Sequence, residues 1–250
     1  MSFDISHILE QWDYQPGQVV VRKFKSKDGI ERIQLRVDLG LLQMNAQGRP
    51  DGKRPFGHES LLEHYEAQLQ KHRAANDGNE EGFELKVEDC AKLQQEAIQY
   101  HHRYICLFQL EDYDAVIRDT DRNLRAFNFV QEHAANEELA WAMQQFRPQL
   151  MLMRVRAQGT KLLKNEDFDA AIKVVEEGID DLRNFYREFG RAELAETSPE
   201  ISSLETWLQD FQEKKPLSER EQLEIALNEA VRNEDYEKAA QVRDALRKIT

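Results

Sequence analysis

Cysteine is scarce. Cys90 and Cys106 are the only two, too few for a disulfide framework, and a reducing cytosol is the simplest setting for them. Eleven glycines and six prolines in 250 residues argue against a long all-β chain built on tight turns, and against a collagenous or low-complexity one. No apolar run approaches the roughly 18 residues of a membrane-spanning helix, so no membrane partner is expected. The opening Met1-Ser2-Phe3-Asp4 lacks a basic region followed by an apolar stretch, so no secretory signal is read and a cytoplasmic location is expected. Basic residues are outnumbered, 34 to 47 acidic, for a net charge of −13. So acidic a body repels nucleic-acid and membrane phosphates at long range. Apolar residues still make up 40%, enough for a core.

Charge is uneven. From Arg22 to Arg54 nine basic residues face four acidic ones, net +5, which leaves the rest of the chain at −18. An anion-binding surface is therefore expected near the N-terminal end. Residues 4–12 read as a short helix ended by Pro16-Gly17. The β-branched run from Val19, the turn signal Lys27-Asp28-Gly29 and the alternation of Ile33, Leu35 and Val37 against Arg32, Gln34 and Arg36 predict a β-hairpin over 18–38. Residues 38–44 extend the second strand. Three glycines and two prolines make 48–57 a loop. His58–His72 carries helical spacing, and 74–82 is polar enough for a mobile linker. From 87 onward apolar residues recur with the helical period, and Pro148 either kinks a helix or starts a new one. Ser198-Pro199 fits an N-cap followed by proline at the first helical position, and Ser218 with Glu221 a capping box. The fold class is thus mainly α: an N-terminal β-hairpin, antiparallel helical hairpins, and a C-terminal helical hairpin. The organisation read is 1–73 for the hairpin, basic loop and helix, 74–86 for the linker, 87–215 for the helical body and 217–250 for the terminal hairpin.

One phrase recurs three times between helical stripes: Glu111-Asp112-Tyr113-Asp114-Ala115-Val116, Glu166-Asp167-Phe168-Asp169-Ala170-Ala171 and Glu234-Asp235-Tyr236-Glu237-Lys238-Ala239. In each, the Asp can cap the incoming helix, the aromatic packs back on the preceding one, and a small or β-branched residue lets helices approach. The intervals, 55 and 68 residues, are unequal, so this is no strict array. Around the middle copy Gly159, Leu162, Leu163, Asp167-Phe168-Asp169, Ala171, Val175 and Gly178 resemble a tetratricopeptide repeat. The first copy departs from that pattern, with Thr120 and Asn123 where apolar or small residues are usual.

At the third copy Leu223, Ala226, Leu227, Ala230, Val231, Glu234, Asp235, Tyr236, Glu237, Ala239, Ala240, Val242, Arg243, Asp244, Leu246 and Ile249 resemble the UVR motif, named for the repair proteins UvrB and UvrC. The resemblance implies a helical hairpin that pairs with another such module or with a partner protein. The stretch Gln34–Met44 followed by Gly48-Arg49-Pro50-Asp51-Gly52 resembles the start of bacterial UVR-motif proteins without an assigned activity. Independently, a two-helix unit of about 30 residues buries too little apolar surface to stand alone. The stripes Leu223, Leu227, Ala230, Val231 and Ala239, Val242, Leu246, Ile249 need a third surface. Residues 218–250 hold six basic and eight acidic residues, which speaks against a nucleic-acid grip there.

Catalytic and metal motifs are thin. The loop 48–57 sets Arg49, Lys53 and Arg54 on a Gly/Pro scaffold suited to a phosphate, a carboxylate or an acidic segment, but it lacks the Walker pattern. His58 and His64 are six apart, which on a helix puts them on different faces and defeats the His-Glu-x-x-His arrangement. His101 and His102 are adjacent, one expected in the core and the other exposed. No CxxC, nucleophile elbow or distinctive carboxylate pair appears. The expectation is a non-enzymatic adaptor without cofactor or metal. It joins another protein, or itself, through Leu223, Leu227, Tyr236, Val242 and Leu246, with Arg243 and Asp244 setting register. The alternative is an accessory DNA-binding factor of nucleotide excision repair acting through 22–54. An enzyme using the Gly/Pro loop with Asp38 or Asp51 has only loop composition behind it.

Overall fold

The computed structural model describes residues 4–216 and 219–249. The chain divides into two compact units, residues 1–205 and 206–250. The first opens with the short helix α1 (Ser6–Leu9) and a three-stranded antiparallel sheet in the order β1 (Val20–Lys25), β2 (Glu31–Val37), β3 (Gly40–Asn45). Asp28 and Gly29 turn the first hairpin: Gly29 has φ +82° and the Asp28 carboxylate accepts the Ile30 N–H at 3.0 Å. The sequence reading carried β2 on through 38–44. The chain instead turns at Asp38-Leu39, and Val37 pairs with Gly40, making a third strand. Leu39 at the turn is 90% exposed.

Alternation along β2 holds, and Ile33 is fully buried in the core. Its other face is polar but covered. Gln34 accepts from Arg22 at 2.7 Å and donates to Gln43 at 2.8 Å. Arg36 donates to the Trp12 carbonyl at 2.8 Å and to carbonyls of the β2–β3 turn, while the Arg22 guanidinium lies 4.2 Å over the Trp12 ring. Two arginines thereby fasten the Trp12 segment to the sheet.

Helices follow: α2 (Leu61–Ala75), α3 (Val87–Gln109), α4 (Tyr113–His133), α5 (Glu137–Gln144), α6 (Arg147–Lys164), α7 (Phe168–Glu188), the short α8 (Ala192–Ala195) and α9 (Pro199–Lys214). Pro148 stands in the first turn of α6, so it starts a helix, where its missing N–H costs nothing. Ser198 caps α9 as the sequence indicates, accepting the Ile201 N–H at 3.3 Å. Between α2 and α3 the turn residues end at Phe83 and Leu85. Leu85 is buried, and its N–H bonds the His133 carbonyl at 2.7 Å.

The three recurrent phrases fold alike. Glu111, Glu166 and Glu234 are all left-handed (φ 59°, 60° and 57°). Each closes the preceding helix with a pair of reverse bonds, such as Glu166 N–H to Leu163 O (2.9 Å) and Asp167 N–H to Leu162 O (3.1 Å). Asp112, Asp167 and Asp235 cap the next helix through the N–H groups of Ala115, Ala170 and Lys238. Val116, Ala171 and Ala239 are buried at the helix contacts. Gly178 serves a close approach, since a Cβ there would lie 2.4 Å from Val155. Thr120 and Asn123, the departures from the tetratricopeptide pattern, are buried with partners: the Thr120 hydroxyl bonds the Val116 carbonyl (2.9 Å) and the Asn123 amide the Ala97 carbonyl (3.0 Å).

Polar groups also pin the loop after β3. Asp119, buried, takes a bidentate pair from Arg103 (2.6 and 2.8 Å), and Arg103 reaches on to the carbonyls of Asn45 (3.0 Å) and Gly48 (2.7 Å). Arg118 adds bonds to Asp119 and to the Ala46 carbonyl. Glu96, equally buried, accepts the Leu61 N–H at 2.8 Å, tying α3 to the start of α2.

Candidate functional site

The second unit contains α10 (Glu219–Arg232) and α11 (Tyr236–Ile249), the helical pair the sequence reading placed there. Ser218 of the expected capping box lies outside the described residues, as do the side chains of Glu221 and Ile249. Ala230 and Ala239, 3% and 9% exposed, are the buried residues among those described in the two helices. Leu223, Leu227, Val242 and Leu246 are half-buried. Ile225, Val231 and Tyr236 are exposed, Tyr236 at 70%. Arg243 and Asp244 are exposed and pair with each other at 3.3 Å.

Tyr236 departs from the expectation that the aromatic of each phrase packs back. Tyr113 does so, 5.5 Å from Phe108 and buried, and Phe168 is half-buried. With the same turn and the same cap, Tyr236 points to solvent. Local geometry fixes the ring's starting direction, but only a following layer can cover it.

The basic loop is differently disposed. Arg49 turns inward, its Nε 3.0 Å from the buried Glu96 carboxylate, while Arg54 pairs with Glu59 on the surface at 3.3 Å and Lys53 is exposed. The three still line one shallow pocket of about 140 Å³. Elsewhere in 22–54, Lys23 pairs with Glu31 at 2.9 Å and Arg32 with Asp28 at 2.6 Å, so much of the basic charge is neutralised locally.

The histidines correct two expectations. His58 and His64 are not on diverging faces: His58 precedes α2, outside the helical wheel, and the rings sit 5.3 Å apart. Phe56, at φ 53°, stacks on His64 at 4.1 Å. His101 and His102 are both half-buried, and His101 Nδ1 lies 2.6 Å from the Tyr104 hydroxyl. Among the described residues no group of three or more His, Cys, Asp or Glu is placed to hold a metal ion. No helix among them is long and apolar enough to cross a membrane. Both thiols are buried and free, and burial pushes Cys106 up to about 12.

A cavity that sequence reasoning missed lies between α4, α5, α6 and α7, about 860 Å³ in volume. Asn128, Gln131, Gln144 and Asn184 bring amide groups to it, and Trp141, Phe185 and Phe189 bring rings. Arg147 donates to Gln144 at 2.6 Å and to Asn128, and burial holds its pKa below the usual guanidinium range. Arg191 lies 4.0 Å over Trp141, whose ring is 5.5 Å from Phe189. Set among the charged Glu137, Arg154, Asp181 and Glu188 of the same lining, these amides can offer donors and acceptors to a polypeptide backbone and the rings faces to its side chains. Only the apolar half of this lining is periodic in sequence, and it reads as core.

Residues 218–249 match the family described as UvrB/uvrC motif (UVR). No curated protein and no solved structure matches the chain. The C-terminal helical pair is therefore a UVR motif, set at the end of a mainly helical chain that opens with a three-stranded sheet.

Proposed function

We propose that the chain is a non-enzymatic adaptor. Its UVR hairpin captures a second protein, or a second copy of this chain, through the half-buried seam of Leu223, Leu227, Val242 and Leu246 and through Tyr236. The cavity between α4 and α7 takes a further polypeptide segment. One observation carries the reading. The turn that buries Tyr113 in the body leaves Tyr236 70% exposed, and Val231 and Ile225 on the preceding helix are exposed as well. Exposed aromatic and branched apolar side chains on a helical pair this small are what a partner surface would cover.

Leu227 and Leu246 also hold the two helices together, so the cleaner variant is Tyr236→Ala with Val231→Asp. It removes exposed contact surface and leaves the seam intact. Capture of a mass-spectrometrically identified protein from native lysate, or self-association by sedimentation, should weaken at least about tenfold, with the far-UV circular dichroism unchanged. Full capture and unchanged self-association by the folded variant would overturn the reading. DNA binding that falls steeply with salt, and that survives in this variant, would favour the repair-factor alternative.

A further inference from the structure

Where the loop after β3 meets α3 and α4, two buried carboxylates each serve two guanidinium groups. Glu96 holds Arg49 and Arg122; Asp119 holds Arg103 and Arg118. Arg118, Arg122 and Arg125 follow one another at helical spacing on a single face of α4. Together with Arg103 they line a pocket of about 210 Å³, whose other walls are Tyr100, Gly48 and the start of α2. Arg103 and Arg122 both lie over the Tyr100 ring, 4.8 and 4.2 Å from its centre.

Of the arginines that line this pocket, Arg122 is the one with a buried nitrogen left without a hydrogen-bond partner among the described residues. That nitrogen is Nε, and the side chain is 12% exposed. Its other nitrogens reach Asn123 and Glu96. Burial pushes its pKa down to about 9, with Glu63 pulling it up and Arg125 and Arg49 pressing it further down. The rim arginines keep replaceable bonds. Arg125 pairs with Glu66 at 2.8 Å on the surface, and Arg118, held by Asp119 and the Ala46 carbonyl through Nε and one terminal nitrogen, turns its other terminal nitrogen to the exposed Gln47 at 2.7 Å; the Glu66 and Gln47 bonds are ones that an incoming anion can replace at little cost. Acids face the pocket as well. Asp119 is held by Arg103 and Arg118, Glu59 is paired with Arg54, and Glu63 is exposed at the mouth.

We propose that this pocket binds a phosphoryl group, gripped by Arg118, Arg122 and Arg125, with the unpaired charge of Glu63 at its mouth opposing entry. A carboxylate offers two oxygens, and those of Glu96 and Asp119 are already shared between two guanidinium groups each. A phosphoryl dianion offers three oxygens and answers several forks at once. The site is independent of the UVR hairpin and of the adaptor reading.

The test uses the full chain and inorganic phosphate, with chloride at matched ionic strength as the control. Phosphate should raise the melting temperature saturably, as a ligand of the native state does. Glu63→Gln should bind phosphate several-fold more tightly, because it removes the opposing charge while Ser60 keeps its cap on the Glu63 N–H. Arg118→Gln with Arg125→Gln should weaken binding at least about tenfold. Those side chains are 38% and 59% exposed, so the fold survives their loss, and circular dichroism checks that. A phosphoserine peptide that binds at least about tenfold more tightly than the free ion would identify a phosphorylated protein as the source; equal or weaker binding would identify free phosphate. No saturable shift in either the natural chain or Glu63→Gln would overturn the proposal. So would unchanged affinity in the folded double-arginine variant.

Discussion

Three glutamates sit in backbone that glycine prefers. Glu111, Glu166 and Glu234 each occupy the left-handed position that closes a helix. A non-glycine residue there bears about 1 kcal/mol of strain, partly offset by the freedom glycine has in the unfolded chain. Glu111 recovers some of that cost through an ion pair with Lys164 at 2.5 Å. Glu166 is exposed, and the capping bonds here run through backbone N–H groups and the Asp167 carboxylate, all of which glycine at 166 would keep. Glu166→Gly should therefore stabilise the chain by about 0.5 kcal/mol, read as a higher urea midpoint at unchanged slope. A fall of the same size would show that the carboxylate serves a contact the backbone argument misses. This turn was legible in the sequence because its physics is local: a cap, a reverse bond and an aromatic lie within about six residues. The direction of Tyr236 was not legible, because burial depends on what lies beyond the hairpin.

At the scale of elements, long-range ion pairs decide how loop and helix meet. Arg103 and Asp119 lie on adjacent helices, 1% exposed each, and Arg103 also holds the carbonyls of Asn45 and Gly48. Arg103→Met would leave Asp119 buried with only the half-exposed Arg118, and would strip two loop carbonyls of their donor. A cost of about 3–5 kcal/mol is expected by chemical denaturation. Hydrogen exchange should accelerate first at residues 45–48. Adding Asp119→Leu should recover part of the loss, since an apolar pair tolerates burial better than a lone charge. A loss below about 1 kcal/mol in the single variant would mean that water reaches Asp119 and that the pair is no anchor. None of this could be read from spacing. Arg103 and Asp119 stand on stripes that periodicity assigns to the helix interior only by exception, and nothing in the sequence pairs residues 16 apart across a turn. The third strand was missed for a related reason. Asp38-Leu39-Gly40 lacks the usual two-residue turn signal, so β3 read as an extension of β2.

For the whole molecule, the histidines that answer to acid all lie in the first unit. Residues 206–250 contain no histidine. In the first unit His64, His101, His102 and His133 are all held below the ordinary value of 6.5, with burial the largest cause for each. His133 is the deepest of them, 7% exposed, with Phe129 at 4.7 Å and Phe83 at 5.4 Å. Glu132 and Glu80, 3.8 and 4.0 Å from its ring, favour its charge, and Arg73 opposes it. A histidine whose folded pKa is depressed takes up protons on unfolding. Its contribution to stability is therefore whole above 6.5 and is lost as pH falls below that value. Carboxylates stay ionised until far lower pH, so between about pH 7.5 and 5.5 histidine titration dominates. The urea midpoint should drop across that window when the probe reports on residues 1–205. His133→Phe, which suits the aromatic surroundings, should flatten the drop. A midpoint for the first unit that is level or rising as pH falls to 5.5 would mean that these rings meet more water, or more carboxylate, than their packing allows.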